Sequence, residues 1–452
     1  MKRNESLKRI SLFALNVFSL FLYTGLYAYA WFYYYYPIVN NHNQGIKLYV
    51  NGHIVIILLY ITILGILSRT YGSLKIGYLK PGDVFFSQTF SLLAVNIISY
   101  FQISLMHNWV VKTGPLALVF AAQLIIAATW ALMCDALYKK MFPPRSILLI
   151  HGERDTADII RKFAERGDRF NITKTINVAE GFAAIIKEAE GPYAAVALWE
   201  LPLDVRNKLL KHFYAHSKRV YMIPKIPDVL IKGADQLHLF DTPVFLTREY
   251  ALTVEQRLIK RLTDIVFSLI LIIVTAPIML IVAIIIRLYD KGPALFRQVR
   301  LTAGGKEFMI IKFRSMIVDA ESDGVARLAG QKDERITPPG RVIRLTRMDE
   351  LPQLFNILAG DMSFIGPRPE RPEMTARYLE EMPEFAFRLK MKAGLGGFAQ
   401  VYGKYNTSPH DKLKLDLAYI ENYSLWLDFK LMLLTLRTVF KPDSAQGVKD
   451  DA

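Results

Sequence analysis

The chain has a single cysteine, Cys134, among its 452 residues. One cysteine cannot form an intramolecular disulfide, and a chain without disulfides fits a protein whose bulk lies in the cytosol. Cys134 stands at the end of an apolar run, where it is expected to act as a small hydrophobic residue.

The sequence also lacks a single basic tail or stripe. The formal net charge is +15, yet the lysines and arginines are distributed beside apolar runs. That distribution argues against a nucleic-acid partner. It favours anionic partners at a membrane, namely lipid head groups or phosphorylated substrates.

Apolar and aromatic residues are abundant, at 52% and 12% of the chain. Four N-terminal segments approach the roughly 20 residues that cross a bilayer: 10–39, 50–68, 84–106 and 114–134. Loop 69–83 and the stretch after residue 138 are basic, whereas loops 40–48 and 107–114 carry one lysine each. The positive-inside rule therefore predicts four transmembrane helices, with the N-terminus and everything after residue 138 in the cytoplasm.

Between residues 145 and 249 the sequence takes on a soluble texture, in which short apolar strands alternate with amphipathic helices. That alternation predicts a Rossmann-like parallel sheet. The first turn has one glycine, Gly152, followed by the carboxylates Glu153 and Asp155, which make a poor cradle for a pyrophosphate. We therefore expect a structural or regulatory domain that binds no cofactor.

The most apolar stretch, 265–286, has Pro277 near its middle and basic residues on both sides. Proline removes a backbone donor, so the helix should bend or break there. Basic residues at both ends favour a re-entrant hairpin whose two ends lie in the cytoplasm. The alternative is a kinked fifth span.

Beyond residue 290 the chain is polar and cationic. Asp349-Glu350 opens a helical pattern in which Leu351, Leu354, Phe355 and Leu358 share a face. The pair is either an N-cap with an acidic first turn or a catalytic pair, with Asp349 as a nucleophile towards phosphorus and Glu350 as a base.

Phosphoryl chemistry requires cations near the transferred group. Lys312 and Arg314 stand at a predicted strand end, and both are either phosphate ligands or part of a solvated face. Arg368 lies between Pro367 and Pro369, whose restricted backbones pre-organise the guanidinium for a bidentate phosphate contact. The alternative for Arg368 is a surface turn.

The segment from Lys260 to about Phe440 resembles the bacterial sugar transferases, the monotopic phosphoglycosyl transferases that start lipid-linked glycan assembly. The matching stretches are Lys260–Asp264, the apolar run with Pro277, Lys312–Met316, Asp349–Leu354, Gly360–Ser363, Gly366–Glu370, Lys392–Leu395 and Ala399–Val401. The N-terminal half is similar to the large members of that family in architecture only.

The resemblance implies transfer of sugar-1-phosphate from a UDP-sugar to undecaprenyl phosphate, with release of UMP, at the cytoplasmic face of a bacterial inner membrane. It implies that Asp349 is the nucleophile and a Mg²⁺ ligand, that Glu350 activates the acceptor phosphate, and that Arg368 contacts substrate phosphate. It also implies the re-entrant helix broken at Pro277.

The family's serine-proline break is Ala276-Pro277 here, and its usual Lys-Pro-Gly-(Ile/Leu)-Thr-Gly becomes Lys392–Gly397 with alanine and glycine substituted. Two other classes remain to be tested: a non-catalytic membrane sensor or scaffold, and a glycosyltransferase that releases UDP. The sequence does not specify the sugar or the polysaccharide, which would be an exopolysaccharide, capsule or lipopolysaccharide. It allows a homodimer through the N-terminal half.

The predicted fold class is membrane α plus α/β, in four parts: four transmembrane helices over 1–140, a Rossmann-like domain over 141–250, an α+β catalytic domain with its re-entrant helix over 251–445, and a tail over 446–452. A single C-terminal helix is expected over about 412–440.

Overall fold

The computed structural model describes residues 2–42, 50–247, 251–318, 320, 333–403 and 407–439. Of residues 2–7, 9, 41, 42, 50 and 436–439 it describes only the backbone. The predicted tail over 446–452 lies outside these residues. The described chain forms two compact units, Met1–Ile223 and Pro224–Ala452.

The first unit begins with apolar helices. They are α1 (Lys2–Ala30), which continues through a π-helical turn at Trp31–Tyr35 into α2 (Tyr36–His42), then α3 (Val50–Tyr71), α4 (Pro81–His107) and α5 (Gly114–Met141). Within the described residues, five helices are long and apolar enough to cross a membrane. Four lie here, where the sequence predicts them, and the fifth, Val254–Asp290, belongs to the second unit.

A buried polar network joins these helices. The Gln123 Nε2 donates to the Tyr60 hydroxyl over 2.9 Å and to the Tyr23 carbonyl over 3.1 Å. The Asn96 Nδ2 donates to the Gln123 Oε1 over 2.8 Å. Such bonds between apolar helices replace the driving force that water supplies to soluble bundles.

The rest of the first unit is the predicted parallel sheet. Its elements are β1 (Arg145–His151), α6 (Ala157–Ala164), β2 (Phe170–Asn177), α7 (Phe182–Ala189), β3 (Ala195–Trp199), α8 (Leu203–Ala215) and β4 (Arg219–Met222). The strand order is β2-β1-β3-β4, and every pairing is parallel. A Cβ on Gly152 would lie 2.4 Å from the Glu200 carbonyl oxygen, so this glycine allows two chain segments to approach closely.

The second unit begins at Pro224, before residue 250, which is the predicted end of the sheet domain. Its first elements are α9 (Ile226–Gly233) and a hairpin of β5 (Asp235–Leu239) and β6 (Thr242–Leu246). Val229 of α9 packs in the same hydrophobic core as Leu417 and Ile357 of the C-terminal region. Residues 224–247 therefore belong structurally with the C-terminal unit.

The long helix α10 (Val254–Asp290) is continuous, with Pro277 inside it. The helix assignment therefore continues through Pro277, and a bend of α10 at this residue stays a prediction. Thr253 caps the start by accepting from the Gln256 amide.

Both ends of the apolar run contact the same body. Asp264 accepts from the Ser363 hydroxyl and the Phe364 amide, each over 3.0 Å. Further along, Val282 and Ile286 pack in a cluster with Phe313. The exposed side chains between these contacts are apolar, as in Ile273 and Val274.

The remaining elements form a small α+β body. They are the antiparallel pair β7 (Leu295–Leu301) and β8 (Glu307–Phe313), α11 (Pro338–Leu345), a 3₁₀ turn (Met348–Glu350), α12 (Gln353–Ala359), β9 (Ser363–Ile365), α13 (Pro372–Glu381), a 3₁₀ segment (Pro383–Lys390), β10 (Gly394–Gly396), α14 (Phe398–Tyr402), α15 (Pro409–Glu421) and α16 (Leu425–Val439). The expected single C-terminal helix is two helices, α15 and α16. Phe355 is exposed, so it does not share the buried face of α12, which Leu354 and Ile357 form.

Candidate active site

A left-handed residue sets the direction of the Asp349-Glu350 pair. Arg347 has φ 57°, and it turns the chain from the end of α11 into the 3₁₀ turn Met348–Glu350. A residue with a Cβ seldom adopts this conformation, and it costs about 1 kcal/mol or more. The turn brings the Arg347 side chain next to Glu350, three residues later.

An asparagine holds this region against the strand that carries Lys312. Asn356 is buried in α12, and its Nδ2 donates to the Met309 carbonyl over 2.8 Å. Its Oδ1 accepts from the Ile311 amide over 3.0 Å. One side chain thus replaces a strand partner for β8, which sets Lys312 relative to Glu350.

Three cations converge on one oxygen of Glu350. The Oε1 lies 3.2 Å from Arg368 Nη2, 3.5 Å from Arg347 Nη1 and 3.9 Å from Lys312 Nζ. The site therefore brings together Lys312, Glu350 and Arg368 as the sequence predicts, and adds Arg347. These contacts are longer than the roughly 2.7–2.9 Å that is usual for charged hydrogen bonds.

Asp349 differs from its neighbour in lacking such support. Its Oδ1 is shut off from solvent and has no hydrogen-bond partner among the described residues. Burial and the adjacent Glu350 charge raise the pKa of Asp349 to about 6, against the opposing effect of Lys312. The N-cap alternative fails, since the N-cap of the turn is Arg347 and no side chain caps it.

The pKa values of Asp349 and Glu350 are shifted in opposite directions. Burial alone would raise the pKa of Glu350, but Arg368, Lys312 and Arg347 outweigh it and hold that pKa well below its usual range. Burial lowers the pKa of Lys312 to about 8, although Glu350 opposes the change. Neighbouring groups with separated pKa values are a common property of catalytic sites.

Arg368 also lines a small pocket next to this centre. The pocket is lined by apolar and polar groups, among them Thr302, Glu370 and Met391.

Arg314 takes a different position from the one predicted. It is buried and forms an ion pair with Asp290, at the end of α10. The structure therefore pairs Arg314 with the membrane-type helix and does not bring it to Glu350. Its role in phosphate binding stays a prediction.

The described residues include no group of three or more histidines, cysteines, aspartates or glutamates that could hold a metal ion. A divalent cation at Asp349 would therefore depend on other ligands. The unpartnered Oδ1 of Asp349 is the oxygen that such an ion would find available.

Comparison with known proteins gives a consistent result for this region. The sequence model of the family described as bacterial sugar transferase matches residues 255–442. That range runs from α10 to the end of α16, and it includes the whole Asp349-Glu350 centre.

The similar curated proteins have names that fit this family. The chain is 43% identical over 184 residues to UDP-N-acetylgalactosamine-undecaprenyl-phosphate N-acetylgalactosaminephosphotransferase of Aeromonas hydrophila, covering 40% of this chain and 43% of that protein. It is 39% identical over 191 residues to UDP-glucose:undecaprenyl-phosphate glucose-1-phosphate transferase of Caulobacter vibrioides, covering 41% of this chain and 71% of that protein. It is 33% identical over 255 residues to undecaprenyl-phosphate galactose phosphotransferase of Salmonella typhimurium, covering 53% and 52%.

The similarity thus spans less than half of the Aeromonas protein and about half of the Salmonella protein. The three names specify three different sugars. Sequence similarity therefore identifies a shared type of protein without selecting the sugar.

Proposed function

The chain belongs to the bacterial sugar transferase family, and from that premise we propose that it transfers sugar-1-phosphate from a UDP-sugar to undecaprenyl phosphate. The transfer would release UMP and begin lipid-linked polysaccharide assembly. The observation that carries the proposal is the centre at Asp349 and Glu350, where a buried, unpartnered carboxylate oxygen adjoins three cations around Glu350.

In the first step, a carboxylate oxygen of Asp349 attacks the phosphorus that bears the sugar. A bond forms between that oxygen and phosphorus, the bond to the bridging oxygen of the diphosphate breaks, and UMP leaves with the electron pair. The product is an acyl-phosphate sugar on Asp349, which divides one difficult displacement into two easier ones.

In the second step, a phosphate oxygen of undecaprenyl phosphate attacks the same phosphorus. The acyl-phosphate bond breaks, the Asp349 carboxylate is restored, and the undecaprenyl diphosphate sugar leaves. Glu350 is proposed to orient the acceptor phosphate through the cations it holds, since its low pKa keeps it ionised.

Lys312, Arg347 and Arg368 are proposed to bind the phosphate oxygens. With Asp349 and Glu350 both ionised, these five side chains carry a net charge of +1, so an anion is attracted to the site. The planar guanidinium groups of Arg347 and Arg368 suit bidentate contacts to phosphate oxygens.

Mg²⁺ fits the residues present. This ion is usually held by one or two carboxylates together with substrate phosphates, and Asp349 has a buried oxygen that is not otherwise bonded. When bound, Mg²⁺ would neutralise charge on the diphosphate and assist the departure of UMP.

The membrane location follows from the helices. Several apolar helices indicate a membrane-anchored protein. We propose that α10 enters one leaflet and returns, which its contacts support, because both ends of the apolar run touch the same polar body. The site would then face the cytoplasm, where UDP-sugar is available, at the depth of the lipid phosphate.

The decisive experiment measures UMP release from a panel of UDP-sugars with undecaprenyl phosphate and Mg²⁺. The wild-type protein is expected to release UMP with at least one sugar. Asp349→Asn should abolish both turnover and the covalent trapping of sugar phosphate, detected by intact-protein mass spectrometry. Release of UDP, or near-normal activity of the Asp349→Asn protein, would refute the proposal.

A further inference from the structure

The backbone that carries Arg368 is held at four successive carbonyl oxygens. These oxygens, from Pro367 to Glu370, each accept a hydrogen bond from a donor elsewhere in the second unit. The donors are the Gly394 amide at 2.9 Å, the Arg388 guanidinium at 2.9 Å, the Arg300 guanidinium at 3.2 Å and the Leu301 amide at 3.1 Å.

The donor to Arg368 is a buried charge. Arg388 is 3% exposed, and its partner Asp416 is 1% exposed. The Arg388 Nη2 lies 2.8 Å from the Asp416 Oδ2, and the same nitrogen donates to the Arg368 carbonyl oxygen. The Nη1 is 3.6 Å from Glu370 Oε1.

A buried ion pair of this kind needs an explanation other than stability. Removing two charges from water costs several kcal/mol per ion, and an apolar pair of similar volume is often at least as stable. The pair can be retained because it fixes a conformation. Here the group fixed is the backbone of Arg368.

Position matters at Arg368 because its side chain must meet both Glu350 and a substrate phosphate. An arginine has many rotamers, so the site gains precision when its Cα is immobile. Misplacing a catalytic contact by about 1 Å can cost about 100-fold in rate.

We propose that Arg388 is a positioning residue for Arg368: paired with Asp416, it holds the Arg368 carbonyl and thereby aims the Arg368 guanidinium at the phosphate of the substrate. This inference rests on the proposed function. It concerns a residue whose polar contacts are with Asp416, Glu370 and the Arg368 carbonyl oxygen.

The test is a double-mutant cycle on the full-length protein. Arg388→Lys keeps the charge opposite Asp416 but loses the planar fork that reaches two partners. Arg388→Met combined with Asp416→Leu removes the ion pair without leaving a lone buried charge. Each change is made in the wild-type background and in an Arg368→Ala background. Turnover is measured as UMP release, and affinity for UMP is measured by calorimetry.

In the wild-type background, both changes should lower kcat/KM by about 10- to 100-fold. In the Arg368→Ala background they should lower it by no more than about twofold further, because the group that they position is absent. The affinity for UMP should likewise fall in the wild-type background and change little in the Arg368→Ala background. This measurement replaces kcat/KM if the turnover of Arg368→Ala is too slow to measure. Lys390→Met, an exposed cation two residues away, serves as the matched control and should match wild type.

Equal losses in both backgrounds would mean that Arg388 only supports the fold, and wild-type activity of Arg388→Lys would also overturn the inference. If the Met/Leu pair fails to melt cooperatively, the Arg388→Lys cycle decides the question. Absence of UMP release from the wild-type protein would instead refute the proposed function itself, before any variant is compared.

Discussion

At the scale of single residues, the site depends on two adjacent carboxylates in unlike surroundings. Glu350 is stabilised by three cations, whereas the Asp349 Oδ1 is buried without a partner. The sequence marks Asp349, Glu350, Lys312 and Arg368 as candidates through the family resemblance, and the structure brings Lys312 and Arg368 to Glu350. The sequence could not predict Arg347, because nothing in Leu345-Thr346-Arg347 announces a left-handed turn.

Arg347 provides a direct test of the three-cation arrangement. Replacing it with methionine removes a charged contact worth about 1.5–3 kcal/mol, so kcat/KM for the UDP-sugar should fall by about 10- to 100-fold. Arg347→Lys should recover part of this loss, because it restores the charge but not the fork.

The matched control is Arg341→Met, which removes an exposed arginine from α11. It should retain wild-type UMP release. Equal losses in Arg341→Met and Arg347→Met would show that general surface charge, and not the contact with Glu350, sets the rate.

At the scale of elements, hydrogen bonds between side chains and backbone join helices and strands that are distant in sequence. Patterns within one helix or strand cannot predict these bonds. The sequence pattern correctly predicts the parallel sheet. It misplaces Phe355, because a face drawn on an ideal helix ignores that Asn356 anchors α12 to β8. It also cannot foresee that Arg314 meets Asp290, since the turn after α10 brings them together.

Asn356→Leu should therefore be costly. It leaves the Met309 carbonyl and the Ile311 amide unpaired beside a buried side chain, and each lost partner costs about 1–3 kcal/mol. We expect a clear fall in the thermal midpoint and slower UMP release, because Lys312 loses its register. Asn422→Leu, at an exposed asparagine bonded to Ala418, is the control and should change the midpoint little.

Gly396 is one of the departures from the motif that the family resemblance implies, and it lies against Thr435 of α16. A Cβ on Gly396 would lie 2.5 Å from the Thr435 hydroxyl and 3.0 Å from its methyl carbon. Gly396→Ala alone should therefore destabilise the protein by about 1–3 kcal/mol through overpacking.

Combining Gly396→Ala with Thr435→Ala should recover most of that loss, as the thermal midpoints of the two single variants and the double variant would show. Purely additive effects would mean that the two side chains do not compete for space.

At the scale of the whole molecule, apolar runs and loop charge predict the membrane helices. The alternation of short strands with helices predicts the sheet domain, and the family resemblance implies the C-terminal catalytic domain. The sequence predicts a bend or break at Pro277; the helix assignment of α10 spans this residue, so a bend there stays a prediction. A proline removes one backbone donor, but the helical turns on both sides of it are retained. A rule about proline alone also cannot predict the tertiary contacts at the two ends of α10.

Topology can be tested with the single native cysteine replaced, as in a Cys134→Ser background. A cysteine at Lys306, in the exposed turn after β7, should react with a membrane-impermeant maleimide only from the cytoplasmic side. A cysteine at Lys112, in the predicted outer loop, should react only from the opposite side. Labelling of both positions from the same side would contradict the re-entrant arrangement and favour a fifth span.

The polar contacts along α10 set a limit on engineering this protein. Lys260 pairs with Asp428 and Arg261 donates to the carbonyls of Ile357 and Leu358, while Asp264 bonds to β9. A helix that served only as a tether could be exchanged for a foreign anchor or removed to give a water-soluble fragment. Helix α10 instead supplies partners to buried groups of the α+β body. A fragment that begins after residue 290, and so lacks α10, should therefore be unable to fold.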